Sequence, residues 1–135
     1  MKKAVVDKII KNLQAKGWMI ERIKKMDFWA FQEGSPAFCV VQAGDTLIFF
    51  CDLPLNDRWK KGKARFFEML NGINNTLSHG VRVIKLNDEA VGMLHMSAVW
   101  HNYYDKNGFS RFLDQFVASV DSLSSHAEVI RHLQR

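Results

Sequence analysis

The sequence predicts an α+β protein, an antiparallel sheet with helices in the order α-β-β-β-α-β-β-α. Three observations carry that expectation. Val6, Ile9, Ile10 and Leu13 recur at i, i+3, i+4 and i+7, the spacing of one buried helical stripe. Two strand-like runs, 37–41 and 46–53, flank Gly44-Asp45, a pair suited to the positive φ that a two-residue hairpin demands. A second helical stripe, Phe66, Leu70, Ile73 and Leu77, precedes another pair of strand-like runs and a helical C-terminus.

The first helix carries Lys8, Lys11 and Lys16 largely opposite its apolar stripe, and Gly17 is placed to end it. Residues 18–23 read as a lead-in or a short strand. Residues 28–32 form a strand in which Phe28 and Ala30 alternate with Trp29 and Phe31, and Glu33-Gly34-Ser35-Pro36 makes the turn. In the hairpin that follows, pairing Ala43 with Thr46 sets Cys39 opposite Phe50 and Cys51 opposite Phe38. That offset sends the two thiols to opposite faces of the sheet. Both are expected to be reduced, buried and unpaired, as in a cytoplasm.

The strand at 46–53 is apolar on both faces, with Leu47, Phe49, Cys51 and Leu53 on one and Ile48 and Phe50 on the other. A strand of this kind wants cover on both sides. Helices of the same chain cover one; the other calls for a further helix, a ligand or a second subunit.

Pro54 closes that strand, and Asn56 or Asp57 caps a helix expected to run to about Thr76. Gly80 separates it from a strand at 81–86. A turn at Asn87-Asp88-Glu89 leads into a strand at 90–99, where Leu94, Met96, Ala98 and Trp100 share a face. Asn107-Gly108 is expected to break the chain before a helix beginning at Ser110, whose stripe is Leu113, Phe116, Val117, Val120 and Leu123. Ser125-His126-Ala127-Glu128 has capping-box spacing, which predicts a short last helix carrying Val129, Ile130 and Leu133.

At 135 residues, with 47% hydrophobic and 24% charged, the chain reads as a single domain, 1–135, with enough apolar surface for a core that needs no disulfide or metal. Met1 to Val6 briefly imitates a signal peptide, but Asp7, Lys8 and Lys11 interrupt it, so no export signal is read. No apolar run reaches the roughly 18 residues of a membrane span. The expected location is therefore cytoplasmic, with no membrane partner.

The stretch Met69-Leu70-Asn71-Gly72-Ile73-Asn74-Asn75, followed by Gly80, a strand, a turn and a strand at 91–99, resembles the leucine-asparagine pattern and following hairpin of YbjN-like proteins. That group is described as candidate bacterial sensory transduction regulators. The layout is similar to the type III secretion chaperone-like fold. The resemblance implies a small α+β protein that forms homodimers and binds protein segments, with no catalytic residues to carry over. Secretion chaperones of that fold are usually acidic, whereas this chain carries a formal charge of +5, which argues against a secretion effector as its client.

The positive charge gathers in two places, Lys2, Lys3, Lys8, Lys11, Lys16, Arg22, Lys24 and Lys25, and then Arg58, Lys60, Lys61, Lys63 and Arg65. The second cluster falls near the start of a helix, where the macrodipole disfavours cations by about 0.3 to 1 kcal/mol each. Local stability does not explain it. An anionic partner does, and so does a solubilising face. A nucleic acid is accordingly the alternative partner, with Trp59 available to stack on a base.

No nucleophile elbow, zincin helix, P-loop or dinucleotide fingerprint occurs, and no catalytic residue is assigned. Asp45, Asp52 and Asp57 are the acidic residues that would serve a dispersed active site at one end of the sheet, the remaining enzyme alternative. His126 and His132 fall on different helix faces, and His95 and His101 share parity only if their strand continues through Trp100. No metal and no cofactor are expected. The reading is a non-enzymatic protein-binding or chaperone-like module, homodimeric, that covers an apolar surface around Trp29, Phe31, Trp59 and Phe66 while a basic rim steers acidic partners.

Overall fold

A computed structural model describes residues 3–77, 82–86, 92–101 and 104–134, with backbone alone for 83–86. The chain runs α1 (Lys3–Ala15), β1 (Met19–Arg22), β2 (Phe28–Gln32), β3 (Ser35–Ala43), β4 (Thr46–Pro54), a 3-10 turn (Asp57–Lys61), α2 (Lys63–Thr76), β5 (Arg82–Leu86), β6 (Met93–His101), α3 (Lys106–Ser125) and α4 (Ala127–Ile130). The expected order of helices and strands is met with one strand added before α2: Met19–Arg22, within the stretch read as a lead-in or a short strand, is a true edge strand, β1. Lys2, Gly80, Val81, the turn at Asn87-Asp88-Glu89, Ala90 and Val91 lie outside the described residues.

The strands form one six-stranded sheet in the order β1-β2-β3-β4-β6-β5, and each neighbouring pair is antiparallel. The central hairpin has the expected register, Ala43 opposite Thr46 and Cys39 opposite Phe50, with Gly44 at φ +59°. β6 returns beside β4 with Cys51 opposite Met96 and Leu47 opposite Trp100. The nine-residue β6 thus takes the inner position, and the five-residue β5 the edge.

Side chains alternate across a strand, and one face of the sheet collects Phe28, Phe38, Phe49, Leu94 and Met96, all buried. The stripes of α1 (Val6, Ile9, Ile10, Leu13), α2 (Phe66, Leu70, Ile73) and α3 (from Phe109 to Leu123) join that face in a single hydrophobic cluster. Phe49 is its hub. The rings of Phe38, Phe109, Phe112 and Phe116 lie 5.1 to 6.0 Å from it, and each aromatic pair adds about 0.5 to 1.5 kcal/mol beyond the area it buries.

Gly17 ends α1 as expected, at φ +90°. The Gly17 N–H donates to Gln14 O and the Trp18 N–H to Leu13 O, both at 3.0 Å, which is the paired bonding of a Schellman cap. Buried Trp18 then packs edge-on against Phe38 at 4.8 Å, so the cap delivers its aromatic residue into the core.

Four local expectations are corrected. The turn between β2 and β3 is Glu33-Gly34 alone, with Gln32 opposite Ser35 and Gly34 at φ +82°, so Ser35 and Pro36 already belong to β3. Asn56 does cap, its side chain accepting from Arg58 N at 2.9 Å, but the element it opens is the 3-10 turn. Gly62, a poor helix former, separates that turn from α2. Asn107-Gly108 does not break the chain: Asp105 caps α3 by accepting from Gly108 N at 2.9 Å, and a Cβ on residue 108 would stand 2.6 Å from that carboxylate. Finally, the N-cap of α4 is His126, whose Nδ1 accepts from Glu128 N. Ser125 instead closes α3, its hydroxyl donating to Asp121 O at 2.7 Å.

Candidate functional site: the uncovered sheet face

Every residue of β2, β3, β4 and β6 that does not point at the helices points to the other face. Its middle row is fixed by the register: Glu21, Trp29, Cys39, Phe50, Ser97 and Arg82 stand side by side across all six strands. On one side of it lies a row with Val41, Ile48 and Val99. On the other, Met19 neighbours Phe31, and Asp52 neighbours His95.

None of these side chains belongs to the hydrophobic cluster or packs against it. Trp29 and Phe31 are each 37% exposed, Val99 49% and Met19 71%, while Val41, Ile48 and Phe50 are half-buried. Among the described residues, no helix lies on this side. The strand that is apolar on both faces therefore has cover on only one of them.

The face is ordered rather than loose. The rings of Trp29 and Phe31 stack at 6.3 Å, and a bulge in β3 sets Pro36 and Ala37 together opposite Phe31. Cys39, flanked by Trp29 and Phe50, is buried even here. Burial, with the negative charges of Asp27 and Asp52 nearby, pushes its thiol pKa up. Cys51, in the core, is pushed up to about 12, chiefly by burial and then by Asp52 and Asp121. Both thiols are free, as the strand register required.

Two polar groups of the face are paired with each other. His95 Nδ1 lies 2.6 Å from Asp52 Oδ1, and the His95 ring lies 5.3 Å from Phe50. A group that keeps its hydrogen bond is far less costly to cover than one left alone.

The sequence-assigned surface residues do not form one surface. Trp29 and Phe31 are on the bare face. Trp59 packs partly buried on the helical side, against Phe66 at 6.2 Å, with Lys63 Nζ 5.9 Å from its ring centre. Phe66 is 2% exposed and belongs to the core, because the stripe that places it on α2 faces the sheet. It offers nothing to a partner. The basic cluster is likewise on the helical side and does not rim the bare face: Lys60 pairs with Asp57 at 3.0 Å, while Arg58 and Arg65 line a groove of about 580 Å³ that Arg131 and His132 share from the C-terminus.

The groove was invisible in the sequence because Arg131 and His132 are brought in from far along the chain. Asn56 Nδ2 donates to Arg131 O at 2.8 Å, and Asn56 N to His132 O at 2.8 Å, which latches the C-terminal segment beside the 3-10 turn. Asp45 and Asp57 do not converge, since they flank opposite ends of the nine-residue β4. His95 and His101 do share the outer face, as β6 continues through Trp100. Among the described residues, no group of three potential ligands is close enough to hold a metal, and no helix is long and apolar enough to cross a membrane.

A twisted antiparallel sheet with helices on one face and an uncovered apolar surface on the other defines the class of fold. Among solved structures, the fold is similar to that of YbjN from E. coli, a proposed transcription regulator: the match covers 96% of each chain at a TM-score of 0.73 and 13% identity. A second match is an uncharacterized protein from Methanothermobacter thermautotrophicus, with a TM-score of 0.62, 12% identity, and 84% of this chain on 89% of that one. At such identities the likeness is one of fold, and the YbjN-like layout read from the sequence holds at that level. No family model matches the sequence, and no curated protein matches it either.

Proposed function

We propose that this chain is a non-enzymatic, cytoplasmic protein-binding module of regulatory or chaperone-like kind, which works as a homodimer through its uncovered sheet face. One observation carries the reading: Trp29, Phe31, Val41, Ile48 and Phe50 lie together on a sheet face that no described helix covers. Contiguous apolar area of this kind on an ordered sheet marks an interaction surface, and aromatic residues are enriched at the centres of such surfaces. The description of YbjN as a proposed transcription regulator accords with a regulatory role. Two buried free thiols accord with a reducing compartment.

Sedimentation across micromolar concentrations tests it. A dimer is expected for the native chain and a monomer for Trp29→Asp, which places a charge on the face. A native chain that stays monomeric at about 100 µM, where a dimer of micromolar Kd is largely assembled, overturns the reading.

A second reading, nucleic-acid binding, is favoured by the groove in which Arg58, Arg65, Arg131 and His132 gather, with Glu68 and Glu128 also in its lining and Glu128 paired to Arg131 at 3.7 Å. Its signature is oligonucleotide affinity that falls steeply with salt, as counterions are released from each phosphate contacted. Absent or salt-independent binding removes it.

A further inference from the structure

The bare face carries its own complement. We propose that two copies pack sheet face to sheet face about a two-fold axis that lies between them and runs parallel to the strands, with Glu21 of each copy against Arg82 of the partner subunit. This rests on the homodimeric reading above and specifies its geometry.

The row Glu21, Trp29, Cys39, Phe50, Ser97, Arg82 takes one residue from each strand of the sheet. A two-fold parallel to the strands keeps each row at its own height and reverses its order. β1 then lies over β5 of the second copy, β2 over β6, and β3 over β4. Because the sheet has six strands, the axis falls between β3 and β4, and no strand meets itself.

The reversal matches the row to itself at every position. Exposed Glu21 at one edge meets exposed Arg82 at the other, twice per dimer. Trp29, the largest side chain of the row, meets Ser97, the smallest. Cys39 meets Phe50. In the flanking rows Val41 meets Ile48 and Phe31 meets His95, whose partner Asp52 enters the middle already hydrogen-bonded within its own chain at 2.6 Å, so chiefly apolar and aromatic pairs occupy the middle and opposite charges the rim. A two-fold running across the strands through the same row would instead set Glu21 on Glu21, Arg82 on Arg82 and Trp29 on Trp29.

Shape and size agree. A twisted sheet is saddle-shaped, and a two-fold axis in the plane between two copies turns the saddle into one of the same hand, so the faces nest without separating at the corners. Strands spaced about 4.8 Å apart and up to about 30 Å long give a face of roughly 700 Å². Two such faces bury about 1,400 Å², within the range of stable specific interfaces.

The test is a charge exchange read by sedimentation equilibrium. Glu21→Arg and Arg82→Glu, each alone, are expected to weaken self-association about tenfold or more through paired like charges. Mixed in equal amounts they should restore a dimer within about threefold of the native affinity, since both edge contacts of the mixed dimer then join opposite charges. Both positions are exposed, and unchanged circular dichroism and melting confirm that the fold is intact.

Weakening without rescue on mixing, or charge variants that dimerise like the native chain, overturns the proposed axis. If Trp29→Asp still abolishes the dimer in that case, the face stands and only the geometry fails. A native chain that is monomeric, or a dimer indifferent to Trp29→Asp, defeats the homodimeric reading itself.

Discussion

Asp52 Oδ1 and His95 Nδ1 meet at 2.6 Å across the β4–β6 ladder, on the face that carries no helix. Both side chains are partly covered, which makes the loss of one partner costly to the other. Asp52→Ala and His95→Ala are each expected to lower stability by about 1 to 2 kcal/mol, with a coupling of about 1 kcal/mol in the double-mutant cycle. Replacing both by Val should be nearly neutral, because neither polar group is then left alone. Urea unfolding at one fixed protein concentration measures all four, since dimerisation would otherwise shift the midpoints.

The two cysteines make a second prediction. Burial raises both thiol pKa values, that of Cys51 to about 12, so the reactive thiolate is suppressed in the native state. A thiol-specific chromogenic reagent at pH 8 should label neither in the folded protein and both in denaturant. For Cys51 the sign of the linkage follows from the same shift: the folded pKa is raised, so its contribution is whole below about pH 9 and is lost as pH rises towards 12. Urea midpoints should fall across that window.

Gly17 is held at φ +90°, and a Cβ there would stand 3.0 Å from Gln32 Nε2, which donates to Lys16 O at 2.9 Å. Gly17→Ala should therefore cost about 1 to 2 kcal/mol from the left-handed backbone, and more if the Gln32 bond is lost. Thermal unfolding of the variant against Gln32→Ala separates the two contributions.

What the sequence disclosed was the part governed by local periodicity. The alternation of Phe28 and Ala30 with Trp29 and Phe31 separated the two faces of β2 without saying which is buried, because both sets are apolar, and the Gly44-Asp45 turn fixed the register that separates Cys39 from Cys51. Chain-end chemistry was less legible. Asn107-Gly108 looks like a break, yet Gly108 is the residue that makes room for the Asp105 cap. The site was half legible: Trp29 and Phe31 share a face as alternation requires, but Phe66 is core, on the α2 stripe with Leu70 and Ile73 that its helical spacing marks. The row that joins Glu21 to Arg82 spans six strands, and no local pattern encodes it.

Asn56 holds the chain's last segment by several bonds at once. Its Nδ2 donates to Arg131 O at 2.8 Å and Leu133 O at 3.3 Å, and its Oδ1 accepts from Arg58 N at 2.9 Å. Around it, Gln134 N donates to Pro54 O and Gln134 Nε2 to Leu55 O, while Leu55 bridges Leu133. Removing a cap costs about 0.5 to 2 kcal/mol, and the part-buried Leu133 carbonyl left without its donor adds to that. Asn56→Ala is thus expected to destabilise the protein by about 2 kcal/mol, but the loss should be uneven. Hydrogen exchange should accelerate first in the backbone of residues 129–134 and the 3-10 turn, while the amides of β3 and β4 keep their protection. Because the His132 ring packs at a tilt against Phe66, 5.1 Å away, and Arg131 lines the same groove, the groove should open with the latch. Uniform acceleration over all strands would show instead that the C-terminal segment and the sheet unfold as one unit.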